Sequence, residues 1–286
     1  MRGIAFVIIH IPLRRRQKVT DDSSVPPFIP GHFGFFFDLD GTLAEIQPRP
    51  ERVFIPEPVR QLLGQLAEMT QGAVALISGR SIAELDELAA PLHFPLAGVH
   101  GAERRDIHDK THRFELAPAL VARLQQSLTR GLSPLDGTWL ENKGAAFALH
   151  YRQAPQHACA VMTLAQEVVA QHQELVLQPG KCVVEIKAQT VNKGAAIEAF
   201  MNEPPFSGRR PLFIGDDLTD ESGFVVVNRL HGISIKVGEG ETRAQFRLPD
   251  VGEVHRWLAQ VVSQNGQQID NFTMRRSGNE SLSRSL

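Results

Sequence analysis

Three consecutive aromatics, Phe35 to Phe37, lead straight into Asp38-Leu39-Asp40-Gly41-Thr42. A strand with one wet face alternates apolar and polar residues. A continuous apolar run instead belongs to a strand buried on both faces, as in a parallel sheet covered by helices. Buried carboxylates are costly unless paired, hydrogen-bonded or metal-bound. Asp38 and Asp40 therefore belong at the strand's exposed end, or beside something positive.

The following sequence repeats this design. Residues 58–69 place apolar side chains at helical spacing, and an apolar run then ends in Ser78-Gly79-Arg80. Ser81, with Glu84 three residues on, predicts a capping box for a second amphipathic helix. A third strand, FPLAGV, leads into His100-Gly101. Strands alternating with helices predict βαβ units and a right-handed parallel sheet.

From about Asp106 to Lys187 the texture changes. The alternating segments GAAFALHYR and CVVEIK are strands, and helical stretches cover 118–130 and 156–172. That predicts an antiparallel sheet with helices on one side, an α+β insert. The first texture then resumes with the helix NKGAAIEAFM, the strand PLFIGDD, a helical or mixed segment GFVVVNRL, the strand GISIKVG and a closing helix, VGEVHRWLAQVV. The expected organisation is an extension and linker over 1–33, a core over 34–105 and 188–262, an insert over 106–187 and a polar, disordered tail over 263–286.

The bulk properties set limits. A chain of 286 residues suits one large domain or a core with a smaller one. A formal net charge of −2 argues against nucleic acid as a partner. Two cysteines, Cys159 and Cys182, make no disulfide framework, so a reducing, cytoplasmic location is expected. No membrane association is expected: no apolar run approaches the roughly 18 residues of a span. The apolar stretch GIAFVIIHIPL is broken by His10 and Pro12, and its main basic cluster follows it, so it is a poor signal peptide. His108 and His112 are four apart and could share a helix face, but no acid motif accompanies them and they read as solvated polar residues.

In an open parallel α/β sheet, ligands bind beyond the carboxyl ends of the strands. Four segments put polar chemistry at that edge: DLDGT at Asp38, SGR at Ser78, NKG at Lys193 and GDDLTDE at Asp216. Singly each is modest. Asp-x-Asp arises by chance, a serine after a strand is commonly a cap, and a lysine opening a helix is commonly solvated. In this order, each at a strand end or helix start, they make a strong pattern.

That order resembles the haloacid dehalogenase superfamily of phosphohydrolases. FFFDLDGTLAEI, LISGRS, PLAGVHGAERRDI, AFALHYRQAPQH, GKCVVEIK and GDDLTDESGF are similar to segments of the bacterial trehalose-6-phosphate phosphatases, and the resemblance runs from about Phe35 to Val262. It implies an α/β fold: a Rossmann-like haloacid dehalogenase core with a parallel sheet, plus an inserted α+β cap of the C2 type. It implies hydrolysis of trehalose 6-phosphate through an aspartyl-phosphate. Asp38 would be the nucleophile, and Asp40 would protonate the departing sugar oxygen and then deprotonate water. Ser78 and Lys193 would hold phosphate oxygens. The side chains of Asp38 and Asp216 and the backbone carbonyl of Asp40 would hold Mg2+, with Asp217 and Asp220 behind them. Glu141, Lys143 and Glu185 would contact the sugar; without the resemblance they read as solvated strand-edge charges. His100, Gly101 and Arg104 would line the core–cap junction, although structural roles suit them equally. The expected partner is a small sugar phosphate, met by a monomer.

The charges agree with this chemistry. Two carboxylates facing a phosphate dianion repel it by about 4 kcal/mol per unit-charge pair at about 4 Å, taking an effective dielectric near 20. One lysine is too little compensation, and a hard divalent cation such as Mg2+ takes carboxylates together with phosphate oxygens. Other expectations stay open: a phosphatase for a different sugar phosphate with the same cap class, or a catalytically silent binding domain. The four intact motifs argue against the latter. A mutase would need a second phosphate site, and the cap shows no arginine cluster to supply one.

Overall fold

The structure, a computed structural model, describes residues 32–180 and 182–264. The expectations for the N-terminal extension and the polar tail lie outside these residues except at their inner ends, where Phe33 already opens the first strand and Ser263 and Gln264 still belong to the closing helix. An eight-stranded sheet has the order β12-β11-β10-β1-β2-β3-β4-β5. Its strands are β1 (Phe33–Phe37), β2 (Val74–Ile77), β3 (Leu96–Gly98), β4 (Glu103–Arg105), β5 (Thr111–Arg113), β10 (Arg210–Gly215), β11 (Ile233–Val237) and β12 (Phe246–Leu248). From β12 to β3 every neighbouring pair is parallel. Only β4 runs against the others, pairing antiparallel with β3 on one side and β5 on the other.

The central strand explains the aromatic run. Phe35 and Phe37 enter one apolar layer, with Leu63 and Leu66 of α1 (Glu57–Met69), Leu85 of α2 (Ile82–Ala89) and Leu258 of α7 (residues 251–264). Phe36 enters the other, with Ile197 and Phe200 of α5 (Lys193–Met201) and Phe224 of α6 (Glu221–Arg229). Successive side chains on a strand point to opposite faces, so a strand covered on both sides has no polar position. The predicted capping box is present: Ser81 Oγ accepts from Glu84 N, and the Glu84 carboxylate accepts from Ser81 N.

A second, four-stranded antiparallel sheet has the order β6-β7-β9-β8, built from β6 (Trp139–Asn142), β7 (Ala146–His150), β8 (Leu175–Gly180) and β9 (Val183–Ala188). One face packs on α3 (Pro118–Leu132) and α4 (Ala158–Ala170), joining Phe147, Leu149, Val184 and Ile186 to Leu124, Leu128, Val161 and Ala165. The other face carries the alternate residues, among them Trp139, Glu141, Ala148, His150, Glu185, Lys187 and Gln178.

Two local expectations differ from what is found. Residues 111–113 fall within the expected insert, where no strand is predicted for them, yet they form β5 and pair with β4 as the outermost strand of the large sheet. The edge of β4 offers unpaired backbone groups, and even a polar segment can satisfy them. We accordingly place the start of the insert after Arg113. His112 lies on β5 and His108 in the preceding turn, so they share no helix face. Folding brings in a distant acid: Glu203 joins Asp106 and His112, with ligand atoms within 4.8 Å of one another.

Candidate active site

The polar residues gather at the carboxyl edge of the large sheet. Ladder pairing of β1 ends at Phe37, and Asp38 N continues it with one hydrogen bond to Ile214 O of β10 at 2.9 Å. A tight turn follows, with Gly41 N donating to Ala44 O at 2.8 Å. Gly41 has φ +81°, and a Cβ there would lie 2.1 Å from Asp216 Oδ2. Glycine is required both for the left-handed backbone and for the approach of the Asp216 carboxylate.

Lys193 is the hub. Asn192 caps α5 by accepting from Ala195 N, and so sets Lys193 at the helix start. Its buried ammonium donates to Asp38 Oδ1 at 2.7 Å and to Asp220 Oδ1 at 2.6 Å. The second oxygen of Asp220 accepts from the backbone N–H groups of Asp216 and Asp217, each at 2.9 Å. Asp220 is thus fully engaged in holding the lysine and the acidic loop. Asp217 serves that loop as well, its Oδ1 accepting from Thr219 N at 2.7 Å.

Three carboxylates, Asp38, Asp216 and Asp220, place oxygens within 4.8 Å of one another. Burial pushes Asp38 and Asp220 up to about 7 and Asp216 up to about 6, in each case against the pull of Lys193. Burial also opposes the charge on Lys193, but Asp38 and Asp220 outweigh it and hold the ammonium above the usual lysine range. The directions are compatible: one cation stays charged while three acids compete for it. An all-oxygen, over-acidic cluster of this kind fits a hard divalent cation.

Asp40 is placed differently. It faces Arg80, not the lysine, with Arg80 Nε to Oδ2 at 2.7 Å and Nη2 to Oδ1 at 2.8 Å. Ser78 is buried two residues before Arg80, and its Oγ accepts from Arg80 N at 3.2 Å. A hollow of about 380 Å³ opens beside Asp40, lined by Ile46, Val53, Gly79, Arg80 and Glu84 among others.

The cap sheet turns its polar face to this edge. Register aligns Glu141, Ala148, Glu185 and Gln178 in one row across four strands. Lys143 Nζ donates to Glu185 Oε1 at 2.7 Å and lies 3.9 Å from Glu141 Oε2. Gln178 Nε2 donates to His100 Nε2 at 3.2 Å, which ties cap to core. Burial, then Lys187 and Lys193, pushes His100 down to about 4, so its ring is neutral there. His100 is held by the core, its N–H donating to Ser78 O at 2.9 Å.

Of the residues expected from sequence, these distances join Asp38, Asp216, Asp220 and Lys193 in one cluster and Glu141, Lys143 and Glu185 in another. Gly101 adopts φ +100°, and a Cβ would meet Asn192 O at 2.9 Å. Its lack of a side chain permits the close approach of α5. Arg104 does not reach the site. On β4, Glu103 bonds Ile82 N and Arg105 bonds Asp86, while Arg104 points the other way, pairing with Glu203 and lying 4.9 Å over the Phe200 ring. Phe200 is seven residues beyond Lys193, which is about 10 Å along the helix. Sequence reasoning missed Arg80, Gln178 and Lys187. Lys187 was detectable, being two residues beyond Glu185 and therefore on the same face.

An open sheet with its ligand edge at the ends of β1, β2 and β10, closed over by an α+β insert, is the architecture of the haloacid dehalogenase class of hydrolases. A haloacid dehalogenase-like hydrolase from Bacteroides thetaiotaomicron shares the fold with a TM-score of 0.60, covering 79% of this chain and 97% of that one at 15% identity. The trehalose-phosphatase family profile matches residues 36–251, and the chain belongs to that family. It is 52% identical over 268 residues to the trehalose-6-phosphate phosphatase of Escherichia coli (strain K12), covering 94% of this chain and 100% of that protein. A crystal structure of Aspergillus fumigatus trehalose-6-phosphate phosphatase superposes with a TM-score of 0.66 at 26% identity, covering 82% of this chain and 93% of the other.

Proposed function

We propose that the chain hydrolyses trehalose 6-phosphate to trehalose and inorganic phosphate, the closing step of trehalose biosynthesis. The observation that carries this reading is the buried Asp38–Lys193–Asp220 bridge at the carboxyl edge, in a chain of the trehalose-phosphatase family. Asp38 attacks phosphorus and forms an aspartyl-phosphate. Lys193 and the Ser78 hydroxyl hold phosphate oxygens. Asp40 gives a proton to the departing sugar oxygen and takes one from the water that opens the intermediate. Arg80 occupies both oxygens of Asp40, so it gives up one of them when the leaving group arrives. Asp38 and Asp216, with the Asp40 carbonyl, would hold Mg2+, and its charge would relieve the repulsion between the acids and the phosphate. On the cap, Glu141 and Glu185 accept from sugar hydroxyls and Lys143 donates to them.

A phosphate-release panel tests the reading, with trehalose 6-phosphate, sucrose 6-phosphate, glucose 6-phosphate and an aryl phosphate in Mg2+ buffer. Trehalose 6-phosphate is expected to exceed the others in kcat/KM by at least about tenfold, since unpaired cap groups penalise the wrong sugar. A flat profile, or a clear preference for another sugar phosphate, defeats it.

A further inference from the structure

The polar face of the cap sheet continues beyond the Glu141–Glu185 row. The next row is Trp139, His150, Val183 and Gly180. Trp139 is 52% exposed, although most large apolar side chains of the cap face the helices. Isolated exposed apolar residues need no explanation, but this one is held in place. Its ring lies flat on the His150 imidazole, with centroids 3.8 Å apart and planes 7° from parallel. His150 Nε2 is in turn 2.9 Å from Glu141 Oε2. Gln178, which meets His100, is the cross-strand neighbour of Glu185, and from Glu185 contacts run through Lys143, Glu141 and His150 to the indole. Ala148 lies between Glu141 and Glu185 in the register, so no bulky side chain fills the floor of the row.

We propose that Trp139, backed by His150, is the platform for the sugar unit farther from the phosphate, and that it sets the preference for a disaccharide phosphate over a monosaccharide phosphate. This rests on the sugar-phosphate reading above. Same-face rows on a strand are about 7 Å apart, comparable to one hexose ring. A ring engaged by the Glu141–Glu185 row therefore places a second ring at the next row. A hexose presents an apolar C–H face inside a rim of hydroxyls. It fits a pre-oriented aromatic surface flanked by carboxylates, and the indole loses little freedom on binding because His150 already holds it. A monosaccharide phosphate ends before this row and gains nothing from it.

The test compares wild type, Trp139→Ala and Trp139→Phe on trehalose 6-phosphate, sucrose 6-phosphate and glucose 6-phosphate at one Mg2+ concentration. For the disaccharide phosphate that wild type prefers, Trp139→Ala is expected to raise KM roughly tenfold with kcat little changed. Trp139→Phe should recover most of that loss, and glucose 6-phosphate should respond alike in all three proteins. Binding gives a second readout. The chain has two tryptophans, and Trp257 is 6% exposed. Adding trehalose should therefore shift the emission of wild type and of Trp257→Phe. Equal losses on disaccharide and monosaccharide phosphates, an unchanged KM for the preferred disaccharide, or emission indifferent to trehalose at saturating product each overturn the proposal. Rejection of trehalose 6-phosphate by wild type is a separate result: it defeats the proposed function, and the variants are then judged on the disaccharide phosphate that wild type accepts.

Discussion

Arg80 grips both oxygens of the Asp40 carboxylate, Nε to Oδ2 at 2.7 Å and Nη2 to Oδ1 at 2.8 Å, across 40 residues of sequence. The turn after β1 is thereby stapled to the turn after β2. A planar fork fixes a carboxylate in orientation as well as position, which a lysine ammonium cannot do. Arg80→Lys is expected to lower kcat about tenfold and Arg80→Ala about 100-fold. Asp40 is partly exposed, so the melting temperature should move little. Full kcat in Arg80→Ala would remove the arginine from the reaction.

Asp38→Asn is expected to reduce turnover by at least about 1,000-fold, since an amide neither attacks phosphorus nor balances Lys193. The substitution also removes one of three competing buried acids. In chelator, therefore, the variant should unfold no earlier than wild type. Activity above about a tenth of wild type would sink the assignment of Asp38 as nucleophile.

Much of this site was legible because it is local. Each motif sits where an apolar strand stops or a helix begins, and those boundaries are written in short-range patterns, as with Ser81 and Glu84. What was not legible is pairing at a distance. Nothing near Arg80 announces Asp40, and nothing near Gln178 announces His100, 78 residues away. Arg104 misled through proximity: it is close to His100 in sequence, but the pleat of β4 turns it to the opposite face. Strand β5 was hidden because Thr111, His112 and Arg113 carry no apolar alternation; edge pairing of backbone groups makes it a strand. Strand order was equally beyond local patterns, since it depends on which faces the helices cover.

Metal and pH act together on stability. Asp38 and Asp220 are pushed up to about 7 and Asp216 to about 6, while an unfolded carboxyl titrates near about 4. Between those limits the folded metal-free protein binds more protons than the unfolded chain, so its stability falls as pH rises through about 4 to 7. Lys193 titrates above that window. Neutral His100 has the opposite slope, which is largest between about pH 4 and 6.5 and fades above that range. Between pH 6.5 and pH 8 the carboxylates therefore outweigh it. In chelator the melting temperature should be lower at pH 8, and the rise on adding Mg2+ should be larger there, because the cation takes ionised oxygens. An Mg2+ shift that is equal at both pH values, or larger at pH 6.5, contradicts this account.

Gly41→Ala tests the acidic loop without replacing a carboxylate. The new Cβ would sit 2.1 Å from Asp216 Oδ2 on a backbone at φ +81°. The left-handed conformation alone costs about 1–2 kcal/mol, and Asp216 has to move. The expected result is a lower melting temperature, a higher Mg2+ concentration for half-maximal activity and a kcat at least about tenfold lower. Wild-type Mg2+ dependence would show that Asp216 is not where the cation binds.

Lys143 separates recognition from chemistry. It stands at the β6–β7 turn, joins Glu185 at 2.7 Å and lies 3.9 Å from Glu141. Its side chain is 33% exposed, so losing the ion pair costs little stability. A hydrogen bond from a charged donor to a sugar hydroxyl contributes about 1.5–3 kcal/mol, or about 10- to 150-fold in kcat/KM. Lys143→Ala also leaves Glu141 and Glu185 with no positive neighbour between them. The loss on trehalose 6-phosphate should therefore reach at least that range. An aryl phosphate makes no hydrogen bonds to the cap and should be hydrolysed at nearly the wild-type rate on the same preparation at the same Mg2+ concentration. If both substrates fall together, Lys143 supports the core or the folding of the cap. If neither falls, it is a solvated turn residue and the sugar is held by other groups.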